Sequence, residues 1–265
     1  MSGVVPLELI DVVREYGGGR SLLGRRLTAH RAVDGVSLTL QQGATLGIVG
    51  ESGCGKSTLA RMIVGLLPPT EGRILIDNRP IEHFDRLALH RKVQMVFQDP
   101  LGSLNPRKTV RQILEIPLRS LRGMHAPARR ERVQELMHLV SLRAEFIDRY
   151  PHEFSGGQCQ RIGIARALAA EAEIIVLDEP VSALDVSVQA QVLRLLQDLQ
   201  ARLGVSYLFI SHDLAVVEAI ADTVAVMQAG RIVERGGAAQ IFLTPQHAYT
   251  RELVAAIPGL SAMPA

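Results

Sequence analysis

The hydrophobic positions of the chain follow two different periods, and the change from one to the other divides the sequence. Residues 7–13 and 33–40 alternate apolar and polar side chains, which is typical of antiparallel strands. Residues 44–49 are apolar and are followed by glycines and a helical pattern over residues 56–64, which predicts a strand, a loop and a helix. Further short strands are predicted at residues 73–76 and 93–97.

Helical periodicity dominates the middle of the chain, between residues 100 and 170. It predicts helices at residues 110–114, 128–140 and 158–169. The apolar run at residues 174–177, which ends in Asp178 and Glu179, is typical of a fully buried parallel strand. The remaining predicted elements are a helix at 186–203, a strand at 206–210, a helix at 214–220 and a hairpin of residues 224–227 and 232–233 around Ala229-Gly230.

These elements predict an α/β fold with a mostly parallel sheet, an N-terminal antiparallel β subdomain and an inserted α-helical subdomain. We expect the core at residues 1–98 and 172–235, the helical subdomain at 99–171 and a C-terminal tail at 236–265. Ligands of such folds bind at the carboxyl ends of the strands, so the segments that follow each strand are the candidates for chemistry. The glycine- and arginine-rich residues 17–30 are predicted to form a solvated loop, whose role the sequence leaves open.

Composition narrows the class of protein. A length of 265 residues suits one core with an inserted subdomain, and 47% hydrophobic with 21% charged residues is typical of a globular chain. The formal net charge of +2 gives no reason to expect a nucleic-acid partner. We predict neither a signal peptide nor a membrane span, so any membrane role is expected to be peripheral. Cys54 and Cys159 form no CxxC pair, and we expect neither a zinc site nor a disulfide.

The strongest motif follows the predicted strand at residues 44–49. It fits GxxxxGK[ST] and consists of Gly50, Glu51, Ser52, Gly53, Cys54, Gly55, Lys56 and Ser57. The glycines let backbone N–H groups turn towards a phosphate chain, and the following helix adds its positive end. Lys56 can reach the β- and γ-phosphates of a nucleotide, and the Ser57 hydroxyl can ligate Mg²⁺. Thr58 completes the predicted nucleotide-binding set, and the strand–loop–helix context argues against a chance glycine-rich turn.

A pair of carboxylates follows the buried strand at residues 174–177. Asp178 closes that strand and can hold Mg²⁺ opposite Ser57. Glu179 comes next and points elsewhere, so it can act as general base on an attacking water. An isolated Asp-Glu pair at a strand end is usually a solvated turn, but here it accompanies a phosphate loop. We therefore predict a catalytic role for both residues.

A second glycine-rich helix start lies at residues 155–158. Ser155 is a good N-cap, and Gly156 and Gly157 permit close backbone approach to an anion beside Gln158; from these residues alone a plain helix cap is equally open. With Gln160 and Arg161 following, the segment resembles the signature motif of the ATP-binding-cassette ATPases, with Phe154 where that family usually has Leu.

The resemblance covers essentially the whole chain and assigns further residues. By similarity to the family, Gln98 is the Q-loop glutamine, residues 182–185 with Asp185 are the D-loop, His212 is the switch histidine and Tyr16 stacks on adenine. The resemblance implies that two ATPase subunits pair head to tail around Mg·ATP. It further implies that Glu179 polarises the water, His212 contacts the γ-phosphate and Gln98 touches the Mg²⁺–water shell.

Several stretches resemble the peptide and nickel importer ATPases within that family. They lie at residues 32–40, 50–61, 95–110, 178–193 and 241–251. This similarity implies a second ATPase subunit, two membrane permease subunits and an extracytoplasmic solute-binding protein, with the chain on the cytoplasmic face of the inner membrane. The sequence leaves open whether the paired ATPase is a different chain or a second copy.

The cargo is the least defined part of the prediction. The resemblance implies peptides, nickel or metal chelates as cargo, and the similarity of the NPRKTV segment at residues 105–110 favours the nickel or metal-chelate branch. Members of the subfamily often carry tail cysteines for an iron–sulfur cluster; no cysteine follows Cys159, so that cluster is not predicted. The alternative function is an ATPase component of a soluble phosphonate-degrading lyase complex.

Overall fold

The computed structural model describes residues 6–17 and 29–257. Most of the loop expected at residues 17–30, and the last residues of the tail, therefore lie outside the described residues. The described residues form two compact units, one that lies within Met1–His83 and Leu208–Ala265 and one of Phe84–Tyr207.

The elements follow one another in mixed order. The strands are β1 (Leu7–Tyr16), β2 (His30–Leu40), β3 (Thr45–Val49), β4 (Glu71–Ile76), β5 (Arg79–Pro80), β6 (Val93–Val96), β7 (Ile174–Asp178), β8 (Ser206–Ser211), β9 (Thr223–Gln228) and β10 (Arg231–Gly237). The helices are α1 (Lys56–Ile63), α2 (Arg86–Lys92), α3 (Val110–Ser120), α4 (Ala126–Leu139), α5 (Gly156–Leu168), α6 (Val186–Leu203), α7 (Leu214–Glu218), α8 (Ala238–Leu243) and α9 (Ala248–Ala255).

An antiparallel sheet in the first unit contains the two strands predicted from alternation. The order is β2-β1-β4-β5, and β1 pairs with β2 in a register that places Leu7 opposite Leu40 and Leu9 opposite Leu38. All four leucines are buried, which is why the apolar positions of both strands share one face. The register shifts near Asp11, whose φ is +46°, and beyond it β1 continues to Tyr16.

The second sheet of this unit carries the strand that precedes the phosphate loop. The strands run in the order β10-β9-β3-β8, with β9 parallel to β3 and antiparallel to β10. All five residues of β3 are buried. The predicted strand at residues 44–49 and the predicted closing hairpin are both confirmed.

The other unit combines a parallel strand pair with the helical segment. Strands β6 and β7 pair in parallel, and all five residues of β7 are buried, as the run of Ile, Val and Leu predicts. The three helices predicted between residues 100 and 170 are confirmed, although α3 continues to Ser120 through Pro117. Helix α6 has the predicted bounds because Asp185 caps its start and Gly204, with φ of +67°, ends it.

Three helices were not predicted from the pattern. Only Leu89 is buried among the seven residues of α2, so that helix shows no apolar period. Helices α8 and α9 follow the closing hairpin and are similarly short. None of the helices in the described part of the chain combines the length and apolarity that a membrane crossing needs.

Candidate functional site

The phosphate loop lies between β3 and α1, where the motif places it. Gly50 and Gly55 have φ values of +155° and +112°. A Cβ at Gly50 would lie 2.1 Å from Met227 O, and a Cβ at Gly55 would lie 2.0 Å from Ala32 O. Glycine is therefore required at both positions by backbone conformation and by the neighbouring backbone. The conformation of the phosphate loop is therefore set by contacts within the first unit.

Hydrogen bonds hold the loop from outside. Gly230 N–H donates to Cys54 O at 2.9 Å, which ties the loop to the β9–β10 turn. Glu51 N–H donates to the Tyr249 hydroxyl at 3.0 Å. Tyr249 was not predicted as a functional residue, because 198 residues separate the two partners and no local pattern links them.

Lys56 and the start of α1 supply positive charge. Lys56 is buried, with 4% of the residue exposed, and its Nζ donates to Gly50 O and Glu51 O at 2.7 Å each. Gly55 is the N-cap of α1, and among the described residues no side chain caps that helix. Ser57 and Thr58 lie in the first helical turn and are half-buried. The glycine-rich loop thus carries an ammonium group and a helix N-terminus, two positive groups that suit the phosphates of a nucleotide.

Two other predicted residues lie in the same unit. Tyr16 ends β1 with 39% of its surface exposed, and the Arg14 guanidinium carbon lies 4.9 Å from its ring centroid. An exposed ring at a strand end can stack on an adenine base. His212 directly follows β8 and is exposed, beside Asp213, which caps α7.

The second unit holds the predicted carboxylates and brings one of them to Gln98. Asp178 ends β7 with only 6% exposure, and Glu179 follows with φ of +49°. The Gln98 amide Nε2 donates to Glu179 Oε2 at 3.1 Å. Sequence reasoning placed both residues in one site but did not foresee this direct contact. The contact orients the carboxylate that is predicted to act as general base.

The signature segment forms a capped helix start. Gln158 N–H donates to Ser155 Oγ at 3.3 Å, and Ser155 N–H donates to Gln158 Oε1 at 2.9 Å, which is a complete capping box. The predicted N-cap role of Ser155 is confirmed. A Cβ at Gly157 would lie 2.4 Å from Val188 Cγ1, so that glycine is needed for packing against α6. At Gly156 the nearest atom, Leu184 Cδ2, would be at 3.4 Å.

Asp185 of the predicted D-loop has a structural role as well. Its Oδ1 accepts hydrogen bonds from the Ser187 hydroxyl at 2.7 Å and from Val188 N–H at 3.0 Å. The Ser187 hydroxyl and then the Val188 N–H hold the pKa of Asp185 below its usual value. The carboxylate therefore caps α6 in its ionised form at neutral pH.

Comparison with known proteins places the chain in a family. Residues 33–182 match the family model described as ABC transporter, and the chain belongs to that family. It is 49% identical over 256 residues to the oligopeptide transport ATP-binding protein AppF of Bacillus subtilis, covering 95% of this chain and 78% of that protein. It is 54% identical over 263 residues to the oligopeptide transport ATP-binding protein OppF of Escherichia coli, covering 96% and 78%.

Solved structures agree on the fold. The ATP-binding cassette MJ0796, solved as a dimer in a post-hydrolysis state with ADP and Pi, superposes with a TM-score of 0.76 at 31% identity, covering 88% of this chain and 98% of that one. CbiO1 of Clostridium perfringens superposes with a TM-score of 0.77 at 28% identity, covering 91% of each chain. The expected α/β cassette fold is confirmed, and the chain is an ATP-hydrolysing ABC subunit.

Proposed function

We propose that this chain powers the import of peptides through separate membrane subunits by hydrolysing ATP. The observation that supports this cargo is the identity of 49–54% with proteins named for oligopeptide or dipeptide transport. The nickel and metal-chelate alternative stays a prediction. The site geometry supports the ATPase part, since the glycines of the phosphate loop are fixed by φ and by contacts that no other residue could satisfy.

The first unit supplies the groups for the nucleotide. The loop amides, Lys56 and the start of α1 bind the phosphates, and Tyr16 stacks on adenine. His212 contacts the γ-phosphate. The proposed nucleotide contacts from this unit are Tyr16, Gly50, Glu51, Ser52, Gly53, Cys54, Gly55, Lys56, Ser57, Thr58 and His212.

The donor chemistry of the proposed metal ligands fits Mg²⁺. Ser57 offers a hydroxyl, Gln98 an amide oxygen and Asp178 a carboxylate, which are the oxygen ligands that this cation prefers. The structure shows Asp178 buried at the end of β7, where an ionised carboxylate is stabilised by a cation. When bound, Mg²⁺ would neutralise phosphate charge.

Glu179 would receive a proton from the attacking water, while the water oxygen bonds to the γ-phosphorus and the bond to the ADP oxygen breaks. The hydrogen bond from Gln98 occupies Oε2 of Glu179 and orients the carboxylate for that transfer.

The second unit would act on the nucleotide of a paired ATPase subunit. We propose that the α5 start at Ser155, Gly156, Gly157 and Gln158, together with Asp185, faces the phosphates held by the partner's loop. The partner is a different ATPase chain or a second copy. In this assembly residues 1–98 and 172–235 are the nucleotide-binding core, 99–171 the signature subdomain and 236–265 the tail.

The proposed assembly also contains two permease subunits and an extracytoplasmic solute-binding protein, with this chain on the cytoplasmic face of the inner membrane. Purification of the complex from membranes, followed by identification of the co-purifying chains, tests this arrangement. We expect membrane subunits, and uptake of di- and oligopeptides rather than Ni²⁺ by vesicles that contain the complex and ATP. Replacement of Lys56 by alanine should stop uptake. Co-purification with a soluble lyase instead would overturn the transport proposal.

A further inference from the structure

The C-terminal helix α9 contacts the phosphate loop through one side chain. Tyr249 lies in the first turn of α9 with 6% of the residue exposed, and its hydroxyl accepts the hydrogen bond from Glu51 N–H at 3.0 Å. Burial raises the pKa of Tyr249, so the hydroxyl stays protonated at neutral pH. The bond joins a side-chain hydroxyl of α9 to a backbone N–H of the loop, so it is a tertiary contact rather than part of a helix or strand.

The start of α9 is itself anchored to the sheet. The Glu234 carboxylate of β10 accepts hydrogen bonds from Gln246 N–H at 2.8 Å and His247 N–H at 2.9 Å. His247 Nδ1 in turn accepts from Tyr249 N–H at 3.2 Å. Because β10 pairs with β9 and β9 with β3, this anchor belongs to the same sheet that delivers the phosphate loop. The Tyr249 hydroxyl is thus held at a fixed place relative to the loop.

The peptide unit that joins Gly50 to Glu51, the Glu51 peptide, is held at both of its polar groups. Its N–H, that of Glu51, donates to the Tyr249 hydroxyl, and its carbonyl, that of Gly50, accepts from Lys56 Nζ at 2.7 Å. When Lys56 turns to nucleotide phosphates, as the proposed function requires, the carbonyl loses that bond. The bond to Tyr249 does not depend on Lys56. It can keep the peptide oriented in both states of the lysine.

We propose that Tyr249 is a positioning residue for the ATPase, whose hydroxyl holds the Glu51 peptide in the orientation that the phosphate cradle needs. The inference rests on the proposed function, since it assumes that residues 50–57 bind the nucleotide. Without the hydroxyl, the Glu51 N–H must find another partner, and the loop samples orientations that do not bind. The apparent affinity for nucleotide then falls by the fraction of chains in the competent loop state.

The test compares two buried tyrosines, one whose hydroxyl bonds to the phosphate loop and one whose hydroxyl bonds to helix α6. Tyr207 is fully buried in the second unit, and its hydroxyl donates to Leu196 O at 3.0 Å. The variants Y249F and Y207F each remove one buried hydroxyl from the full chain. We expect Y249F to raise the Kd for Mg·ATP about two- to tenfold, as measured by calorimetry, and Y207F to leave it unchanged. Both variants should lower the melting temperature by a few degrees.

An unchanged Kd in Y249F would overturn the inference, as would an equal rise in Y207F, because either result reduces the contact to general stability. Lys56→Ala distinguishes failure of the proposed function from failure of the role of Tyr249. If Lys56→Ala loses Mg·ATP binding while Y249F keeps it, only the role of Tyr249 fails. If Lys56→Ala binds normally, the phosphate loop assignment fails and the inference with it.

A second variant covers the case in which Y249F does not fold. Glu234→Gln weakens the anchor of α9 without changing any residue of the loop or Tyr249 itself. We expect it to raise the Kd in the same direction and by less. Wild-type affinity in Glu234→Gln would then overturn the inference.

Discussion

The N-termini of helices α1 and α5 are capped differently, although both are glycine-rich and both are proposed to bind phosphate. At α1 the N-cap is Gly55, and no side chain of the described chain caps the helix. At α5 the cap is Ser155, which forms a complete box with Gln158. An uncapped start leaves its first amides for a ligand, whereas a capped start is satisfied within its own chain. On the proposed function, the α1 start binds phosphate by itself, and the α5 start adds a contact.

Glycine is required for different reasons in the two segments. Gly50 and Gly55 are enforced by positive φ and by carbonyl oxygens about 2 Å from a notional Cβ. At position 157 an added Cβ would collide with the Val188 side chain. At position 156 an added Cβ would make only ordinary contact with Leu184. The loop is therefore fixed by backbone geometry, and the α5 start by side-chain packing. Variants of the phosphate loop should accordingly change the affinity for Mg·ATP, and variants in the second unit should change ATP turnover.

The largest effect should be on turnover. Glu179→Gln keeps the size of the side chain but removes the base, so we expect kcat of the assembled complex to fall at least about 100-fold, with the Kd for Mg·ATP little changed. Steady-state ATPase rates and equilibrium binding measure the two quantities. Glu173→Gln, at an exposed carboxylate paired with Lys92, serves as the control and should keep full activity. Turnover at the normal rate in Glu179→Gln would remove this residue from the mechanism.

The next largest effect should be at Gly55. In Gly55→Ala the new methyl group collides with Ala32 O, and the φ of +112° is strained for alanine. We expect the free energy of unfolding to fall by about 3 kcal/mol and the affinity for Mg·ATP to fall more than about tenfold. Chemical denaturation and calorimetry give both values. Gly53→Ala meets no atom within 4 Å and should lose only about 1 kcal/mol.

A smaller effect on stability should divide the α5 glycines. Gly157→Ala places a methyl group against Val188, which must shift, so we expect a loss of about 1–3 kcal/mol in the free energy of unfolding. Gly156→Ala should change it by less than about 0.5 kcal/mol. It should nevertheless slow ATP turnover in the assembled complex, because the added methyl group keeps an anion away. Equal losses of stability in the two variants would contradict the packing difference described above.

The smallest effect is a pH dependence at Asp185. Because hydrogen bonds lower the pKa of this carboxyl in the folded chain, its contribution to stability is present above the unfolded pKa of about 4 and is lost as the pH falls through the folded value. Wild type should therefore be more stable than Asp185→Asn at pH 7, and the gap should narrow below pH 4. Denaturation curves at several pH values measure the gap. Ser187→Ala removes one of the donors and should reduce it.

Local signals explain what could be predicted of the fold. The strand β7 and the helix α6 were predicted with nearly their observed bounds, since the apolar run of one and the helical period of the other lie within the elements themselves. The phosphate loop was found for the same reason: its residues are consecutive. Helix α2 was missed because a single buried residue leaves no period to detect.

Features that depend on distant contacts could not be predicted. The need for glycine at position 157 comes from Val188 on another helix, and the sequence motif alone attributed it to an anion. The contact between Tyr249 and Glu51 joins residues 198 positions apart. The hydrogen bond from Gln98 to Glu179 spans 81 positions. The motifs named the residues at the site, and only the fold showed which of them touch.

At Glu179 the backbone conformation opposes the side chain that the proposed catalysis requires. A φ of +49° is unfavourable for most residues with a Cβ, and glycine or asparagine would adopt it more easily than glutamate. The chain thus keeps an acidic side chain where its own folding preference is for a different residue. A chain that no longer needed to hydrolyse ATP could therefore gain stability by replacing Glu179 with glycine or asparagine, at the cost of the proposed base.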